Sequence, residues 1–112
     1  MKKIEATIKP FKFDEVREAL LAIGVEGLSA CEIKGFGRQE EHAELYRGSE
    51  YLVDFASKVK LELIISDESA PLVVATIQHA ARTGRSDDGK ILILSIEDAI
   101  RIRTGEHGTD VI

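Results

Sequence analysis

The chain has 112 residues, the size of one ordinary domain, and with 44% hydrophobic and 31% charged residues it is too apolar for a disordered segment. Its formal net charge of −5 is spread over mixed acidic and basic residues, which argues against nucleic acid as a partner, and a single cysteine excludes an internal disulfide. Because neither a signal peptide nor an apolar run of transmembrane length is present, we expect a cytoplasmic protein without direct membrane insertion.

The first half of the chain predicts the order strand, helix, strand. Apolar and polar residues alternate up to Pro10, which is the two-residue period of a half-buried strand. A helical spacing follows, with Asp14 in the position of an N-cap and Gly24 in that of a left-handed C-cap. A weaker alternation over 28–36 predicts a second strand, in which Cys31 is expected to fill the core. The apolar positions of the first strand and helix are Ile4, Ala6, Ile8, Val16, Ala19, Leu20 and Ile23.

The second half repeats this pattern. Apolar residues from Val59 to Ile65 alternate with charged ones, which predicts a third strand. A helix follows with Pro71 in its first turn and Gly84 at its end. The apolar run Ile91–Leu94 lies in a fourth strand over 90–96 and is typical of a strand covered on both faces. The inward positions of this second helix are Val73, Ile77, Ala80 and Ala81.

Two β-α-β units separated by a long gap predict one α+β domain over 1–112 with a ferredoxin-like βαββαβ fold. Such a fold has a four-stranded antiparallel sheet with both helices on one face. The other face and the edge strands stay uncovered in a single chain, so we expect a homo-oligomer.

The gap at 37–57 is long for a loop in a compact domain. It is rich in acidic residues and contains both tyrosines, Tyr46 and Tyr51. Composition alone leaves two interpretations open, a β-ribbon packed on its own domain or an exposed arm that a partner protein reads.

Catalytic and metal chemistry find little support in the residue pattern. His42, His79 and His107 lie in a loop, a helix and the tail without the spacing of a zinc site, and surface positions are the expectation for each. By family resemblance, an acylphosphatase with this fold would need an arginine and an asparagine in its active site. The chain has no asparagine, so it offers only one of these two residues.

Three segments combine glycine with basic residues, as anion-binding turns do. They are 35–39 after the second strand, 83–90 between the second helix and the fourth strand, and 101–105 in the tail. Each also fits an ordinary cap or tight turn. The first and third could meet more easily across an oligomer interface than within one subunit.

Several segments resemble the PII nitrogen-regulatory signal-transduction proteins, and they recur in the family's order along essentially the whole chain. They are MKKIEATIKPFKFDEVREAL at the start, KGFGRQ at 34–39, ELYRGSEY at 44–51, VDF at 53–55 and IRIRTGE at 100–106. The resemblance implies a homotrimer with ATP or ADP bound in clefts between subunits. It also implies that the gap at about 37–57 is a T-loop that docks on partner proteins, with a C-terminal tail at about 101–112.

The resemblance implies a role for individual residues. Glu62 is similar to the residue that reads the adenine edge, Gln39 to one that engages Mg²⁺, and Gln39 with Lys58 to those that engage 2-oxoglutarate. Tyr51 resembles the tyrosine that is uridylylated in bacterial relatives. The nucleotide-binding positions are Ser29, Gly35, Phe36, Gly37, Arg38, Gln39, Glu62, Ile64, Asp88, Gly89, Lys90, Arg101 and Arg103.

Two departures from the family pattern bear on the ligands. Asp87 stands where the family commonly has glycine, and an extra carboxylate there is expected to repel a polyphosphate. Glu40 and Glu41 follow Gln39, where the family commonly has Lys-Gly. We expect a divergent member that keeps nucleotide binding and has a weakened or lost response to 2-oxoglutarate.

The leading functional expectation is a non-catalytic regulator, whose nucleotide occupancy biases the T-loop toward or away from a transporter or nitrogen-metabolism enzyme. A slow ATP hydrolase is one alternative. A purely structural trimer of the divalent-cation-tolerance type is another, and it would leave the IRIRTG segment and the long gap unexplained.

Overall fold

A computed structural model of the protein describes residues 1–36 and 55–112. The strands are β1 (Lys2–Ile8), β2 (Ser29–Phe36), β3 (Phe55–Ile65) and β4 (Gly89–Ser95), and the helices are α1 (Phe13–Ala22) and α2 (Ala70–Ala81). Short 3-10 helices span Pro10–Lys12 and Gly108–Val111. The predicted element order is confirmed.

The four strands form one antiparallel sheet in the order β2-β3-β1-β4. This is the ferredoxin-like arrangement that the repeated β-α-β pattern predicted. β1 lies in the centre, where its polar row Lys3, Glu5 and Thr7 faces away from the helices. The sheet therefore has a helix-covered face and an open face.

The core lies between the sheet and the two helices. Alternate side chains of β1 and β3 enter it, and they meet one face of each helix. Its fully or nearly fully buried members include Ile4, Ala6, Ile8, Val16, Leu20, Leu61 and Ile77. The helix also buries Val73 and Ala81 as predicted, and Ala80 packs half-buried against the core.

Two predicted helix boundaries are wrong. α1 begins at Phe13 after a 3-10 turn, so Asp14 lies inside the first turn of the helix and Lys12 occupies the N-cap. In the first turn the Asp14 carboxylate lies near the positive end of the helix dipole, but it does not cap the helix. α2 ends at Ala81, where the next residue turns extended, and Gly84 with φ +89° belongs to the following turn. Gly24 does take the predicted left-handed conformation, with φ +92°.

The predicted burial of Cys31 is wrong, and that of β4 is not reached in a single chain. Cys31 is exposed, because its register partner Lys60 places it on the open face of the edge strand β2. β4 is the other edge strand, and Leu92, Ile93 and Leu94 keep 47%, 55% and 41% of their surface exposed. A single chain therefore leaves uncovered the strand that was expected to be buried on both faces.

β2 and β3 are paired up to Phe36 and Phe55. The last three residues of the predicted gap, 55–57, therefore belong to β3, which starts earlier than its apolar alternation indicated. The rest of the predicted T-loop, 37–54, lies outside the described residues, and so does Tyr51.

Candidate functional site

The turn between α2 and β4, residues 82–89, is closed by one carboxylate. Asp88 Oδ2 accepts hydrogen bonds from the backbone N–H groups of Thr83 at 2.8 Å and Gly84 at 2.9 Å, and Oδ1 accepts one from the Thr83 hydroxyl. These hydrogen bonds, the Thr83 hydroxyl first, hold the pKa of Asp88 well below its usual range. The Asp88 side chain thus points into this turn and fixes its shape.

Gly89 joins this turn to the sheet in a conformation that requires glycine. Its φ is +108°, and a Cβ at this position would overlap the carbonyl oxygen of Thr7 on the neighbouring strand. The backbone of β4 can approach β1 this closely only without a side chain. Lys90 follows on the open face of the sheet, because its register partner is Thr7.

A buried lysine anchors the turn from below. Lys9, 8% exposed, follows β1 and places its Nζ 3.0 Å from Asp87 Oδ1 and 3.3 Å from Asp88 Oδ1. The same Nζ donates to the Thr83 hydroxyl at 3.2 Å. The adjacent Lys9 ammonium lowers the pKa of the Asp87 carboxyl, and the carboxylates of Asp87 and then Asp88 raise the pKa of Lys9. The carboxylate that was expected to repel a polyphosphate is therefore neutralised by a positive partner.

Lys58 reaches the same turn from β3. Its Nζ donates to the carbonyl oxygen of Asp87 at 2.5 Å. This residue was predicted to engage an anionic effector, and the structure places its ammonium beside the predicted phosphate-binding turn. A cleft of about 380 Å³ on this part of the surface is lined by Asp88, Gly89 and Lys90, among others.

A second cleft, of about 1060 Å³, contains Ser29, Glu62 and Ile64. Ser29 is the register partner of Glu62, so the edge strand brings the two together. Glu62 places one carboxylate oxygen 3.3 Å from Lys60 Nζ and the other 3.4 Å from Lys3 Nζ. The Lys60 ammonium, followed by that of Lys3, holds the pKa of Glu62 below its usual value. The cleft thus contains an ionised carboxylate that can only accept hydrogen bonds.

The tail after β4 folds back on itself. Ile100 pairs with His107, and Arg101 is bound within the hairpin by the Glu106 carboxylate at 3.5 Å and the Asp110 carbonyl at 3.3 Å. Arg103 is exposed, and between the two arginines Ile102 is 100% exposed. The His107 ring lies 2.8 Å from Asp98 at the base of the hairpin.

The structure therefore gathers the predicted site residues into separate groups. Asp88 and Gly89 lie in one turn, Lys90 follows it and Lys58 of β3 donates to it, while Ser29, Glu62 and Ile64 line the larger cleft. Gly35 and Phe36 end β2, and Arg101 and Arg103 lie in the tail at the far end of β4. The remaining predicted positions lie outside the described residues: Gly37, Arg38, Gln39, Glu40 and Glu41. Gln39 is the predicted Mg²⁺ ligand.

Sequence reasoning missed Lys9, Thr83 and Glu106. Lys9 and Asp87 are far apart in the chain, and only the pairing of β1 with β4 brings them together. Glu106 was quoted within the IRIRTGE segment, but its contact with Arg101 could be expected only from a hairpin in the tail. Thr83 was marked only as the first residue of the glycine-containing segment 83–90, and no residue pattern indicated that Asp88 would accept hydrogen bonds from it.

Residues 1–36 and 55–112 contain neither a cluster of metal-ligand side chains nor a helix that could span a membrane. Within these ranges no three His, Cys, Asp or Glu side chains are grouped so that they could hold a metal ion. The helices described there are too short or too polar to cross a bilayer.

The element order and the strand order define a ferredoxin-like α+β domain, and its similarity to known proteins gives its family. The family model for nitrogen regulatory protein P-II matches residues 1–106. Nitrogen regulatory proteins P-II of Rhodospirillum rubrum and Bradyrhizobium diazoefficiens are 62% and 60% identical over 112 residues, which is the full length of each. The crystal structure of Arabidopsis thaliana PII bound to citrate has a TM-score of 0.78 and 36% identity, covering 97% of this chain and 89% of that one.

The chain therefore belongs to the P-II family of nitrogen regulatory signal-transduction proteins. The resemblance drawn from the sequence is confirmed. The relatives are named regulatory proteins, which agrees with the expectation of a regulatory role.

Proposed function

We propose that this protein is a non-catalytic regulator that binds ATP or ADP in clefts between the subunits of a homotrimer. Nucleotide occupancy would bias the T-loop, and the T-loop would engage a membrane transporter or a nitrogen-metabolism enzyme. The observation that carries the proposal is the turn at 82–89. Its shape is fixed by Asp88 and Lys9, its last residue must be glycine, and Lys58 and Lys90 lie beside it.

The distance between the turn and the larger cleft supports a nucleotide as ligand. Glu62 of β3 and Leu92 of β4 both pair with Glu5 of β1, and Leu92 is three residues after Gly89. Strand spacing and rise therefore put Glu62 and Gly89 roughly 14 Å apart. Lys90 and Glu62 both belong to the open face. An extended nucleotide has its base and its phosphates at opposite ends, and the Glu62 carboxylate offers an acceptor for the exocyclic amino group of adenine.

The position of the C-terminal tail favours a nucleotide site that is shared between subunits. Gly89 pairs with Ile8 at one end of β4 and Ser95 with Lys2 at the other, about 20 Å away. The hairpin with Arg101 and Arg103 follows Ser95, so the arginines of one chain start far from its own phosphate-binding turn. Exposed Ile102 and the uncovered apolar side chains of β4 would find cover on another copy.

We further propose that this protein responds weakly, or not at all, to 2-oxoglutarate. Support comes from Lys58, which already donates to a backbone carbonyl, and from the two acidic residues Glu40 and Glu41 after Gln39. Gln39 would contact Mg²⁺ bound with ATP. Modification of Tyr51 by uridylylation is the remaining part of the proposal, and it follows from the family alone.

Calorimetry with Mg-ATP and Mg-ADP tests the nucleotide proposal on the purified protein. We expect saturable binding with one nucleotide per chain. Lys90→Ala should weaken it about tenfold or more, because a charge-assisted contact to phosphate is lost. Lys12→Ala is the matched control, since Lys12 is paired with Glu15 on α1. Absence of nucleotide binding in the unmodified protein would contradict the proposal, and Lys90-dependent phosphate release would instead favour a slow ATP hydrolase.

A further inference from the structure

Asp87 connects two lysines, Lys9 just after β1 and Lys58 in β3. Its carboxylate is paired with the buried Lys9 at 3.0 Å, and its backbone carbonyl accepts from Lys58 at 2.5 Å. The Lys9 side chain is 10% exposed and that of Asp87 31% exposed, so water screens this ion pair less than a surface pair. One residue thus joins the end of β1, the turn before β4 and the start of β3.

The anchoring of the turn fixes where the Lys58 ammonium lies. Asp88 closes the turn from within, and the Asp87–Lys9 pair ties it to the end of β1. A turn held at these two points cannot easily move its carbonyl groups. The carbonyl of Asp87 therefore stays in position to receive Lys58, and any ligand that binds the ammonium elsewhere must first break this hydrogen bond.

We propose that Asp87 is a positioning residue that, through its ion pair with Lys9, holds Lys58 at the nucleotide turn and so disfavours a second, dicarboxylate ligand. The proposal rests on the proposed function in one respect, that the neighbouring site takes an anionic nucleotide. Asp87 itself contacts no ligand in this account. Its charge acts on the position of the turn, and the turn acts on Lys58.

Glycine at position 87 keeps the carbonyl but removes the anchor. In Asp87→Gly the turn could move, Lys58 would spend more time free of the carbonyl, and a dicarboxylate could draw the ammonium away at lower cost. Asp87→Asn removes the charge while keeping a side chain of similar size, which separates the ion pair from backbone freedom. Ser86→Gly is the matched control, because it adds a glycine to the same turn and leaves both contacts of Asp87 in place.

The first measurement is the reactivity of Lys58 in the full-length protein without ligand. Limited acylation with an amine-specific reagent, followed by peptide mass spectrometry, gives the rate at Lys58 relative to Lys60 on the same strand. A hydrogen bond of ordinary strength predicts that Asp87→Gly and Asp87→Asn raise this ratio about threefold to tenfold. Ser86→Gly should leave it unchanged. An unchanged ratio in both Asp87 variants, or an equal rise in Ser86→Gly, would overturn the proposal.

The second measurement is calorimetric titration with 2-oxoglutarate in the presence of saturating Mg-ATP. Asp87→Gly should bind it about threefold to tenfold more tightly than the unmodified protein does, since less of the binding free energy is used to release Lys58. Equal affinity in the two proteins, or no detectable binding of 2-oxoglutarate to Asp87→Gly, would refute the effect on the second ligand. Failure of both proteins to bind Mg-ATP would contradict the proposed function, while the acylation ratios would still decide whether Asp87 positions Lys58.

Discussion

Replacement of Gly89 by alanine tests the close approach of β4 to β1. The substitution adds one methyl group at a position where φ is +108° and where that group would overlap the carbonyl oxygen of Thr7. Gly84 provides a matched comparison five residues earlier. It has φ +89°, and a Cβ there would meet nothing within 4 Å.

The two substitutions share one cost and differ in another. A left-handed backbone conformation costs an alanine about 1–2 kcal/mol, and this applies to both glycines. In Gly89→Ala the strand must also shift, which weakens one or two backbone hydrogen bonds of the β1–β4 ladder at about 0.5–1.5 kcal/mol each. Gly89→Ala should therefore lower the free energy of unfolding by about 1.5–5 kcal/mol, and Gly84→Ala by about 1–2 kcal/mol.

Urea denaturation followed by circular dichroism, at one fixed protein concentration, measures both values. The concentration is fixed because association would shift the apparent stability. Equal destabilisation by the two substitutions would refute the account of Gly89, since it would mean that the contact with Thr7 costs nothing. A loss of nucleotide affinity in Gly89→Ala, with less change in Gly84→Ala, would further link this strand junction to the proposed site.

Two other predictions concern the core and the tail. Leu61→Ala should lower the free energy of unfolding by about 2–5 kcal/mol in urea titrations, because Leu61 is fully buried, whereas the mostly exposed Leu72→Ala should stay within about 0.5 kcal/mol. The hydrogen bond from His107 is the main cause that lowers the pKa of Asp98, so this pair stabilises the fold above the ordinary carboxyl pKa of 3.8, and the contribution is lost as pH falls through the lowered value. NMR titration of the carboxyl carbon should show a higher Asp98 pKa in His107→Ala, and an unchanged pKa would contradict the account.

The elements that the sequence predicted well are those whose burial follows from a single chain. β1 and β3 alternate because their apolar side chains face the helices of the same molecule, and the period of two is visible in the residues. β4 differs, since its apolar run predicts cover on both faces and the single chain supplies little. The proposed trimer would account for this difference.

The candidate site was predictable in its residue types but not in its internal contacts. Glycine next to Lys90 fits an anion-binding turn, but from the sequence it fits an ordinary tight turn as well. The counter-charge on Asp87 comes from Lys9, a residue whose proximity depends on strand register. The sequence therefore predicted that Asp87 would repel a polyphosphate, because the pairing of Asp87 with Lys9 could not be foreseen. In the structure the Asp87 charge is neutralised by this ion pair.

Cys31 shows a further limit of local pattern. Its small and apolar neighbours favoured a core position, but β2 is an edge strand, and the apolar Ile33 shares the open face with Cys31. Only the pairing with Lys60 places the thiol on the open face. For Cys31, the strand register and not the side-chain type determines which face of the sheet it occupies.

Complementation between two binding-defective variants tests the central claim, that each nucleotide site is built from two subunits. Lys90→Ala removes the turn's lysine and Arg103→Ala the tail's arginine, and each variant alone should bind Mg-ATP poorly. When the two are unfolded together and refolded as mixed assemblies, some interfaces would combine an intact turn with an intact tail. We expect the mixture to regain a fraction of tight Mg-ATP sites by calorimetry. A mixture that binds no better than its separate components would contradict it.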